Sequence, residues 1–133
     1  KSMKTIQILT FIAFFTLFTQ AVPAQTTGFP AEIVIALNTG DAAKLTSYLN
    51  DNVELVVSSK NDVYSKQQAV GIITDFFRKN KVNSFQLLHN GNKEAASFII
   101  GSLKTSTGNY RVYVLTRKIS GKQLIQQLRI ESE

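Results

Sequence analysis

No cysteine occurs in the 133 residues, and the only histidine is His89. Disulfide bridging and a lipidated cysteine are thereby excluded, and so are the usual zinc sets, which draw most of their ligands from those two residue types. "NDN" at 50–52 lacks the rest of a calcium loop, no glycine-rich loop is present to cradle a phosphate, and Ser/His/Asp chemistry has one histidine and no nucleophile motif. No metal and no cofactor is expected. Charge of one sign is scarce as well: 15 basic against 9 acidic residues give a formal +6, with the basic residues scattered apart from Arg78, Lys79 and Lys81. A nucleic-acid footprint needs such charges gathered on one face, so no nucleic-acid partner is expected.

A membrane-spanning run is also missing. The apolar stretch Ile6–Phe18 is interrupted by Thr10 and Thr16 and falls short of the roughly 20 residues that cross a bilayer. With Lys4 before it and the small residues Val22 and Ala24 behind it, the stretch reads as a secretory signal peptide over residues 1–24, cleaved after Ala24. Residues 25–29 are then a flexible leader, and 30–133 form one domain of ordinary length. Removal of Lys1 and Lys4 brings the charge to +4. The expected product is exported and soluble, in the periplasm or outside the cell.

What the domain does contain is hydrophobic periodicity. Pro30 suits a first helical turn, and Ile33, Val34 and Leu37 make one apolar face. Gly40 and Asp41 supply a stop and a restart, after which Leu45, Tyr48 and Leu49 recur at helical spacing. "VELVV" at 53–57 has the length and branching of a strand, and the following "SSKNDV" reads as a polar loop. In "YSKQQAVGIITDFFRKN", Ser65 and Gln68 make a capping box, while Ala69, Val70, Ile73, Phe76 and Phe77 share a wide helical stripe. Turn signals at 90–92, 106–109 and 120–122 then separate four strands, near 84–89, 94–105, 110–118 and 123–131, with a bend or bulge expected at Gly101. Helices on one face of a curved antiparallel sheet make an α+β fold.

The motifs "ALNTGDAAKLTSYL", "VYSKQQA", "DFFRKN", "SFQLLHNG", "GNYRVYVLTRK" and "LIQQLRIE", in this order, resemble the bacterial domain-of-unknown-function family 4783, exported proteins of Bacteroidetes. The order of elements resembles the nuclear transport factor 2-like (cystatin-like) cone. The resemblance implies the cone fold and export. The wider superfamily holds isomerases, dehydratases and plain binding proteins, so it does not choose an activity.

Alternation along the strands sorts the remaining residues by face. Leu124, Gln126, Leu128 and Ile130 are expected inward on the last strand, Tyr110, Val112, Val114 and Thr116 on the third, and Phe85, Leu87 and His89 on the first. The polar members His89, Tyr110, Thr116 and Gln126 are the candidates for a ligand pocket at the wide end of the cone. Arg111, Tyr113, Leu115, Arg117, Gln127 and Arg129 fall on the outer face, where basic and aromatic groups mix as they do at interfaces. That stripe is the candidate homodimer or partner surface.

The expected function is a non-catalytic binding or interaction module, its partner a small ligand or an envelope protein. The alternative is a cofactor-free isomerase or lyase acting in the cone cavity. Such chemistry needs a carboxylate whose protonation is tuned by burial, and no Asp or Glu falls at an inward mid-strand position. Asp51 and Asp62, the acidic residues that would pair with His89, are expected in loops. A cavity above about 300 Å³ holding a carboxylate would favour the enzyme, and a filled cone the interaction surface.

Overall fold

A computed structural model of the chain describes residues 29–133; the segments expected as signal peptide and, up to residue 28, as leader lie outside the described residues. Phe29, assigned above to the leader, is half-buried against the core, so the packed domain already includes it. Helix α1, Ala31–Thr39, follows Pro30 and ends at Gly40, whose φ of 70° is the left-handed cap that glycine takes without strain. Asp41 caps α2, Ala42–Thr46, by accepting the Lys44 N–H at 3.0 Å. The helical spacing of Leu45, Tyr48 and Leu49 does not persist: α2 stops at Thr46, and Leu49 opens strand β1, Leu49–Val57.

The segment expected as a polar loop is a strand. β2, Lys60–Ser65, folds back on β1 from Val57↔Lys60 to Asn52↔Ser65 through a turn whose first residue, Ser58, has φ 56°. Its polarity suits an edge strand, where Lys and Asp discourage pairing with other chains. Helix α3, Lys66–Lys79, starts at Ser65 with the capping box complete, Ser65 Oγ accepting the Gln68 N–H and Gln68 Oε1 accepting the Ser65 N–H. It buries Ala69, Ile73, Phe76 and Phe77 against the sheet, in one cluster with Leu103, Val112, Val114, Leu128 and Ile130. At about 1.5–3 kcal/mol per large side chain, this burial accounts for the stripe without any ligand.

The remaining strands are β3 (Val82–Lys93), β4 (Ala96–Thr105), β5 (Gly108–Ile119) and β6 (Lys122–Ser132), giving one six-stranded sheet in the order β2-β1-β6-β5-β4-β3. The meander is antiparallel throughout, whereas β1 joins β6 in parallel. β3 runs straight through "NGN" at 90–92, and its turn falls at Glu94, which takes φ 56°. Gly91 is used differently: a Cβ there would meet the Phe98 ring at 2.6 Å, so the glycine seats that ring.

Besides a register shift between Val82 and Ser84, two bulges reset the faces. One inserts Leu88 between Leu87↔Gly101 and His89↔Ile100, directly opposite the glycine expected to mark a bend. The other inserts Gln126 between Leu115↔Gln127 and Thr116↔Ile125. An extra residue turns everything beyond it to the opposite face. His89 therefore points outward beside Ile100, and Ile125 rather than Leu124 fills the core.

Candidate functional site

The four pocket candidates are not brought together. His89 is exposed on the outer face. Tyr110 stacks edge-on against Phe76, ring centroids 5.1 Å apart, and its hydroxyl bonds to Asn80 Oδ1 and Thr107 Oγ1, both at 3.2 Å. Thr116 is fully buried, its hydroxyl shared between the Ser97 carbonyl at 3.2 Å and Gln123 Oε1 at 2.8 Å. Tyr110 and Thr116 are six positions apart on β5, about 20 Å at strand rise. Gln126 is the bulge residue, half-buried, and not one of an inward row with Leu128. Tyr110 and Thr116 are thus polar groups satisfied by their own neighbours.

The carboxylates expected near His89 lie elsewhere. Asp51 sits in β1 and Asp62 in β2, both exposed, and β2 is the opposite edge of the sheet from β3, which carries His89. Asp62 Oδ1 accepts the Val63 N–H at 2.7 Å. The buried polar side chains are Thr46, Ser97, Thr105 and Thr116, all hydroxyls. Among the described residues no three His, Asp or Glu side chains gather as a metal site would require.

The outer face keeps the arrangement expected of β5. Cross-strand pairing lays out one row of Val56, Arg129, Tyr113, Ile100 and His89, and beside it Glu54, Gln127, Leu115, Phe98 and Gly91. Phe98, Ile100, Tyr113 and Leu115 form a half-buried apolar centre, the two rings 6.1 Å apart. Ion pairs edge it, Arg111 with Glu133 at 3.1 Å and Arg129 with Glu131 at 3.4 Å, and exposed Arg117 pairs across the strands with Leu124. Phe98 and Ile100 were not among the sequence candidates. "SFIIG" is apolar at both parities, and only the outward alternation from Gly101 would have singled them out.

A hollow of about 560 Å³ lies at the edge of the packed stripe, where Phe76 borders it, between the other flank of α3 and the β1–β2 hairpin. Val57, Ser58, Ser59, Lys60 and Tyr64 line one side, and Gln68, Gly71, Ile72, Asp75, Phe76 and Lys79 the other. It exceeds the size that the enzymatic alternative requires, and it contains a carboxylate. Asp75, however, is 43% exposed and paired with Arg78 and, at 3.2 Å, with Lys79. Hydrogen bonds from Arg78 and then Lys79 hold its pKa below the usual aspartate value. A proton-shuttling carboxyl needs the opposite shift, upward by burial.

Residues 30–131 match the family described as Domain of unknown function (DUF4783). A crystal structure of a DUF4783 protein from Bacteroides ovatus is 35% identical, covers 81% of this chain and 98% of its own, and superposes with a TM-score of 0.77. One from Bacteroides fragilis is 37% identical, with 79% and 99% covered and a TM-score of 0.74. A nuclear transport factor 2-like protein of unknown function from Cytophaga hutchinsonii, 15% identical with a TM-score of 0.57 over 84% and 95% of the two chains, shares the fold. No curated protein matches.

Proposed function

The chain belongs to the DUF4783 family, and from that premise we propose that it is a non-catalytic binding module that pairs with a second copy of itself through the outer face of its sheet. The observation that carries the reading is the half-buried centre of Phe98, Ile100, Tyr113 and Leu115. An antiparallel sheet with one face on the core ordinarily turns a polar face to water. Here the middle of that face is apolar and aromatic, edged by arginines, the composition of an interface core and rim. The inner face supports the non-catalytic part: the helix stripe packs against it, and the buried polar side chains are hydroxyls, those of Thr46, Thr105 and Thr116 already bonded.

A twofold interface presents the same patch from both subunits, so one substitution enters it twice. Wild type is expected to sediment as a dimer and Tyr113→Glu as a folded monomer. A monomeric mass for both removes the self-pairing.

Export belongs to the same reading. Cleavage after Ala24 delivers the domain to the periplasm or beyond, and no helix among the described residues is long and apolar enough to cross a membrane. N-terminal sequencing of the protein recovered outside the cytoplasm is expected to begin at Gln25; an intact start at Met3 contradicts export by cleavage.

A further inference from the structure

Gly71 sits inside α3, where glycine is a poor choice: its backbone freedom makes it worse than alanine in a helix interior. Close packing usually explains such a residue. At Gly71 it does not, because a Cβ built there meets nothing within 4 Å. The empty space beside it is the hollow between α3 and the β1–β2 hairpin. A local choice that works against the fold without a packing reason marks a functional position. Here the missing side chain leaves the hollow open and bares the helix backbone to whatever enters.

The chemistry of the walls selects the occupant. Ile72, Phe76 and Val57 supply apolar surface. Among the polar groups, Asp75 is neutralised by Arg78 and Lys79, and Asn80 is taken up by the Phe76 carbonyl, Thr107 and Tyr110. The polar side chains left without a bond among the described residues are the Lys60 ammonium and the hydroxyls of Ser58, Ser59 and Tyr64, all of which can donate. Lys60 follows the Ser58–Ser59 turn and lines the hollow together with Lys79. We infer that this hollow is a binding site for a small organic acid, its apolar body against Ile72 and the bare helix at Gly71, its anionic group at Lys60. The site is separate from the outer sheet face and stands whether or not the chain dimerises.

Titration calorimetry with octanoate, and with octylammonium as the same chain bearing the opposite charge, tests it on the whole domain. Wild type is expected to bind octanoate saturably at millimolar concentration or below and to ignore octylammonium. Gly71→Leu, which fills the hollow, and Lys60→Glu, which reverses its charge, should each weaken octanoate at least tenfold, while Lys104→Glu on β4 leaves it unchanged. Gly71→Leu should melt no lower than wild type, since nothing opposes its side chain; if it does melt lower, Lys60→Glu decides alone. Octanoate that fails to bind wild type, binds Lys60→Glu as tightly as wild type, or is matched by octylammonium overturns the assignment.

Discussion

At Gly101 the absence of one methyl group decides whether the sheet and the core fit. A Cβ there would lie 2.3 Å from the Phe85 ring and 2.5 Å from the Gln86 carbonyl oxygen. The ring could swing, but the carbonyl belongs to the neighbouring strand and cannot yield without moving the Leu88 bulge. Gly101→Ala is therefore expected to destabilise the fold by about 1–3 kcal/mol, the range for overpacked cores. Urea denaturation checks this: the midpoint should fall with the slope unchanged, and an unaltered midpoint means the contact relaxes freely. Gly71 behaves in the opposite sense, since it faces empty space in a helix. Two glycines in one domain thus answer different demands, one made by packing and the other by an opening.

Among elements, α3 depends most visibly on its first turn. Ser65 ends β2 and caps α3 at once, so the chain reverses there with no loop between strand and helix. Ser65→Ala removes the side-chain acceptor of the Gln68 N–H and should cost about 1 kcal/mol in thermal unfolding. A change of only a few tenths would mean that the pairing of β2 with β1 fixes the helix start by itself. The capping box, like the stripe from Ala69 to Phe77, was legible in the sequence because both depend on residues three or four apart. The inward row of β5 and the outward Arg111, Tyr113, Leu115 and Arg117 were legible for the same local reason. Bulges are not local. Leu88 and Gln126 carry no mark of being extra, since each is surplus only relative to its partner strand, and so His89, Leu124, Gln126 and Ile125 were expected on the wrong sides. β2 was missed because an edge strand has little to bury: Tyr64 alone of its residues is half-covered, and Val63 is 62% exposed. The hollow was illegible because its two walls belong to different elements and meet only in the fold.

For the molecule as a whole, packing of the helix stripe on the inner face leaves the outer sheet face and the hollow beside α3 as the surfaces open to a partner. The outer face and the hollow lie on different sides of the sheet, so self-pairing and ligand binding do not compete for the same residues. The sheet itself is assembled out of chain order. β1 has β2 on one side, but its other neighbour is β6, the last strand, and this parallel pairing joins the N-terminal hairpin to the meander within the sheet. Bringing such distant segments together costs loop entropy before any contact repays it. While the ribosome is still at work, the β1–β2 hairpin lacks its next neighbour in the sheet, and the sheet cannot close across β1 until β6, the last strand, has been made.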